Sequence, residues 1–167
     1  MKKTIWIIES ISEWTGIMVS WAAFALVLLL CTEVFMRFVL DNPTQYSYET
    51  AISLGVTISA VGLAYTYKHH GHVRVDVIYR YFSPRTRALA DVIGALIFFF
   101  PLYFALTYIS VWWLWRSVAI GEILTETFWY PPAWPIRASM TLGIILIIPQ
   151  GVAHFIRDLH QLRRKSL

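Results

Sequence analysis

Glu33 and Arg37 are the residues of this sequence best placed to do chemistry. They stand four apart near the end of an apolar run that carries no charge between Trp14 and Thr32. A charge at mid-membrane costs roughly 2.5–3.5 kcal/mol on insertion scales, so a carboxylate in such a run is a functional candidate by default. One chemistry is proton coupling, with Glu33 exchanging a proton or holding a cationic substrate. The other is structural. Acid first and base four residues later puts both on one helix face in the favourable order, where the pair can point toward another helix or a partner. Glu49 opens the next apolar run, where an acid complements the helix dipole, and it lies at the same membrane level as Arg37, near enough to meet it.

The histidines suggest haem less than they first invite. A four-helix membrane cytochrome needs histidine pairs facing each other inside the bundle. Here His69, His70 and His72 cluster in one polar segment, His160 lies in the C-terminal tail, and His154 has no histidine at its depth in another run. The one cysteine, Cys31, allows neither an internal disulfide nor a Cys/His zinc cluster. The glycines are scattered singly and form no phosphate-cradling loop, and no nucleophile–base arrangement stands out. The residues point away from an enzyme, and no cofactor or metal is expected.

The elements that must position these residues are membrane helices. The 167 residues are 57% hydrophobic and 14% charged, against about 25% charged in globular chains, and the mean hydropathy is +0.57. A formal charge of +4 does not indicate nucleic acid, because the basic residues sit at the ends of apolar runs. Four runs reach the roughly 20 residues a bilayer helix needs. We expect an all-α integral membrane protein in a single membrane domain, with spans about 14–40, 48–67, 90–115 and 135–156.

Lysines and arginines fall eleven on the side of the termini and the central polar segment against three, Arg37, Arg116 and Arg137, on the other. That asymmetry predicts cytoplasmic termini, with the N-terminal residues read as a retained tail. In the central segment, Val73, Val77, Ile78, Tyr81 and Phe82 share a helical face, while Asp76 precedes Arg80 by four. The pattern predicts a short amphipathic helix over about 73–82, lying in the interface against lipid. A strand would also fit its alternation, but would leave an open edge at the membrane. Ser83-Pro84 reads as the start of the third span, and Pro135 as the start of the fourth. Pro101 is a candidate kink.

Four stretches together resemble a known family. They are Glu33-Val34-Phe35-Met36-Arg37-Phe38-Val39-Leu40-Asp41-Asn42-Pro43, then Tyr48-Glu49-Thr50, then Gly71-His72-Val73-Arg74-Val75-Asp76-Val77, and last Pro131-Pro132-Ala133-Trp134-Pro135. In order and spacing they resemble the small membrane (Q) subunit of tripartite ATP-independent periplasmic transporters. The resemblance implies a bacterial inner-membrane scaffold subunit that binds a large permease subunit. That partner would hold the substrate and the sodium, and a periplasmic binding protein would deliver organic acids to it. Together with the helical pairing of Asp76 and Arg80, it marks Glu33, Arg37, Glu49, His72, Arg74, Asp76, Arg80 and Trp134 as structural or partner-interface candidates. The competing readings are a small self-assembling proton-coupled exporter built on Glu33 and, behind it, a membrane cytochrome or enzyme subunit.

Overall fold

The computed structural model describes residues 2–69 and 84–163. Its helices are α1 (Lys2–Phe38), α2 (Ser47–Lys68), α3 (Pro84–Gly94), α4 (Phe100–Ala119) and α5 (Trp134–Arg163), with a π-helical turn over Ala95–Phe99 joining α3 to α4. The third membrane element is therefore one rod of α3, π turn and α4. Among the described residues, four stretches are long and apolar enough to span a bilayer: Ser10–Phe38, Ser47–Lys68, Thr86–Ala119 and Trp134–His160. The expected amphipathic helix over 73–82 lies outside the described residues. α1 starts well before the expected span, so the N-terminal segment continues the membrane helix.

With four crossings, both chain ends fall at one end of the bundle, called here the termini end. The α1–α2 turn and the α4–α5 loop share the opposite end, the turn end. α2 packs against α1 and α5, and α5 packs in turn against the α3–α4 rod. The helices thus lie in the order α1, α2, α5, α4, with α5 the most buried and the two outer elements presenting apolar side chains to the surroundings. Phe24, Leu28 and Phe35 on α1 and Phe98, Leu102 and Trp115 on the rod are all exposed. Lipid tails are as apolar as these side chains, so burial gives the helices little reason to associate, and close backbone approach must do more of the work.

Glycine supplies that approach. A Cβ at Gly143 of α5 would stand 2.2 Å from the Ala60 carbonyl oxygen of α2, and one at Gly16 of α1 would stand 2.4 Å from the Tyr65 ring. The first neighbour is backbone and cannot swing aside, so alanine at position 143 would force the two central helices apart. Polar contacts add to the packing. Ser12 donates to the fully buried Gln150 at 3.4 Å, and Thr141 donates to the Ser110 carbonyl at 3.3 Å. At the termini end Lys68 pairs with Glu13 at 2.5 Å, tying α2 back to α1.

Pro101 does not break its helix. A proline at that position lacks the N–H for the Ile97 carbonyl, and in an α-helix its ring would strike that carbonyl. The preceding turn is widened instead, with the Phe100 N–H bonding to the Ala95 carbonyl, a π form that makes room for the ring. Phe99, within the wide turn, stacks on Tyr67 of α2 at 5.4 Å and lies against Gly151 of α5.

Candidate functional site at the turn end

Glu33 reaches the α1–α2 turn from the last turns of α1, and each of its oxygens is fully engaged. Oε1 accepts from Arg37 Nε at 3.0 Å and Arg37 Nη2 at 2.6 Å. Oε2 accepts from the Thr44 backbone N–H at 3.1 Å, from the Thr44 hydroxyl, and from Ser47 Oγ at 2.6 Å. The residue is only 8% exposed. Buried polar groups must find partners; here one carboxylate satisfies the arginine beside it, the turn backbone and the first residue of α2 together. The turn itself leaves α1 through Asp41 at φ 50°, with the Asn42 N–H returning to the Met36 carbonyl. Aspartate tolerates this left-handed conformation better than most residues.

Glu49 lies two residues beyond Ser47, which turns it about 200° round the helix from the face that meets Glu33. It does not pair with Arg37, whose ionic partner is Glu33. The side chain of Glu49, 1% exposed, instead meets the α4–α5 loop, where Oε1 accepts the Thr127 backbone N–H at 2.8 Å. Its Oε2 is buried with no hydrogen-bond partner among the described residues.

The loop over 120–133 is itself ordered by backbone bonds. Gly121, at φ 62°, ends α4 with the Glu122 N–H on the Ser117 carbonyl at 3.0 Å and its own N–H on Val118; this is the Schellman pattern, in which glycine takes the left-handed residue. Leu124 N–H donates to the Pro131 carbonyl and Ala133 N–H to the Glu122 carbonyl, both at 2.8 Å, so the two arms of the loop close on each other. Arg137, from the first turns of α5, ion-pairs with Glu122 and lies 5.0 Å over the Trp113 ring of α4. Arg116 rests on Trp112 at 5.6 Å. Tyr46 of the turn meets Trp129 of the loop edge to face at 6.2 Å, so turn and loop touch. Trp134, the first residue of α5, stays half exposed beside them.

Of the sequence candidates, the structure brings Glu33 and Arg37 together, places Glu49 one helix face away, and puts Trp134 at the same end. His72, Arg74, Asp76 and Arg80 lie outside the described residues. Thr44, Ser47, Thr127 and Arg137 complete the arrangement and were not singled out by spacing, because their partners come from other elements. What the arrangement does chemically is fix geometry: every strong acceptor on Glu33 already faces a donor.

Fold and site define a multi-pass helical membrane protein whose buried polar groups tie helices to turns. The family model described as "Tripartite ATP-independent periplasmic transporters, DctQ component" matches residues 26–161, and the chain belongs to that family. It is therefore a small-subunit component of a tripartite transporter, a family of transport components rather than of enzymes. A comparison with curated proteins returned no match.

Proposed function

We propose that this chain is the accessory, scaffold-forming small permease subunit of a sodium-coupled transporter that imports organic acids delivered by a periplasmic binding protein. It sits in the bacterial inner membrane with both termini in the cytoplasm, as the eleven-to-three distribution of lysine and arginine supports. A large permease subunit holds the substrate and sodium; this chain contributes no cofactor and no catalytic group. Glu33, Arg37, Glu49 and Trp134 on the periplasmic side, and His72, Arg74, Asp76 and Arg80 on the cytoplasmic side, serve its own architecture or its contact with partners.

The observation that carries this reading is the family match joined to the state of Glu33. A proton-coupled exporter would need a carboxylate that can release its contacts and take up a proton or cargo. Glu33 instead accepts from Arg37, Thr44 and Ser47 on both oxygens. The test is co-purification of the C-terminally tagged chain, expressed with and without a large permease and a binding protein. A stoichiometric permease, with sodium-dependent organic-acid uptake only when all three are present, is the expected result. A homo-oligomer that exports alone and fails with Glu33→Gln would overturn the proposal.

A further inference from the structure

The guanidinium of Arg37 is used on one edge only. Nε and Nη2 hold Glu33, while Nη1 makes no hydrogen bond among the described residues and the side chain is 55% exposed. Of the two arginines at the turn end that are ion-paired, Arg137 is 26% exposed and stacked on Trp113, whereas Arg37 lies open. Beside Arg37 runs a groove of about 260 Å³ between α1 and α2, lined by Leu30, Val34, Phe38, Tyr48 and Ala51 and, at its polar edge, by Glu33, Arg37 and Ser47. Of its lining, Arg37 and the half-exposed Tyr48 stand at the turn end of α1 and α2, while Val34 and Leu30 lie one and two turns deeper on α1.

A guanidinium with one open edge at the turn end, beside a largely apolar groove whose lining continues two turns deeper along α1, matches one amphipathic shape in both its charge and its polarity gradient. We propose that this is a glycerophospholipid site, in which the free edge of Arg37 takes the phosphodiester and the groove takes one acyl chain. The planar fork of arginine suits two phosphate oxygens at once. Because Glu33 already fixes the guanidinium plane, little side-chain freedom remains to be lost on binding. A carboxylate from a protein partner would satisfy the arginine but would leave the groove beside it unexplained. The proposal rests on membrane crossing alone and stands apart from the transport reading.

The test is native mass spectrometry of the full-length chain in detergent, titrated with phosphatidylglycerol. Four forms are compared: the native sequence, Arg37→Gln, Ala51→Phe, which adds a ring at a groove-lining position that takes no part in the hydrogen bonds of Glu33, and Arg116→Gln as a control at the same end of the bundle. Arg37→Gln and Ala51→Phe should each weaken lipid binding roughly ten-fold, with Arg116→Gln unchanged. Equal binding by all four forms, or equal loss in the control, would mean a non-specific lipid shell and overturn the site. Loss with Arg37→Gln but none with Ala51→Phe would reduce it to a headgroup contact and overturn the groove. If Arg37→Gln does not fold, Ala51→Phe against the control decides. Recovery of the chain with a large permease whose helix crosslinks into the groove, and with no lipid retained, would assign the groove to protein and also sink the proposal.

Discussion

The two connections at the turn end are held in opposite ways. The short one, between α1 and α2, hangs on a single carboxylate: Glu33 gathers the arginine before the turn, the threonine within it and the serine after it. The long one, over 120–133, is closed first by its own backbone and then pinned at separate points, by Glu49 to Thr127 and by Arg137 to Glu122. The eight-residue turn over 39–46 bonds back to α1 through the Asn42 N–H but closes no ladder between its two arms, so a side chain acts as its template. A fourteen-residue loop can build its own ladder and needs side chains only to fix where it rests. The short connection is thus vulnerable at one atom group, and the long one is redundant.

That contrast can be broken by substitution. Glu33→Ala should give the largest effect, leaving Arg37, Thr44 and Ser47 without their acceptor; the thermal midpoint in detergent, followed by tryptophan fluorescence, should fall furthest of the series. An unchanged midpoint would show that the turn does not depend on its carboxylate. Glu33→Gln should come next and remain clearly destabilising. An amide can face Arg37 or the Thr44 and Ser47 donors with its oxygen, but must then turn N–H groups on the other set.

At the loop, Glu49→Ala should cost about 1–3 kcal/mol, the usual penalty for stranding a buried N–H. It should also raise the labelling rate of a cysteine placed at Glu126 in a Cys31→Ser background. Arg137→Ala should cost about 1 kcal/mol, because its ion pair is partly exposed and its stacking on Trp113 is modest. Glu49→Gln should cost less than Glu49→Ala, since the amide oxygen keeps the Thr127 bond while the amide nitrogen takes the place of the unpartnered, charged Oε2. Glutamine tolerated at 49 and rejected at 33 is the sharpest form of the comparison. Equal tolerance at both positions would dissolve it.

These residues also show what the sequence made legible. The four spans could be read because each is a continuous apolar run, and the Glu33–Arg37 pair because four residues is one helical turn. The anchoring of Glu49 could not, because its partner lies 78 residues away and is a backbone N–H that any residue could supply. That Glu49 does not meet Arg37 has a geometric reason: sharing a membrane level does not mean sharing a helix face. Gly143 was invisible in the same way, since glycine is needed there only because Ala60 of another helix presses against it. Pro101 did announce a disturbance, but its spacing alone could not distinguish a kink from a widened turn.

That widened turn sets the phase of the third membrane element. A π turn holds one more residue than the α turn it replaces, so the surface of α4 is rotated relative to α3 as if a register mark had been skipped. Deleting one residue within Ala95–Phe99 would remove that extra residue and close the turn to an ordinary α turn with α3 and α4 still in phase, at the cost of setting the Pro101 ring against a helical carbonyl. Closing the turn at unchanged chain length would instead swing α3 by about 100° relative to α4 and carry Phe99 off Tyr67 and Gly151. The match between residue count and wide turn therefore keeps both halves of the rod facing α5 at once.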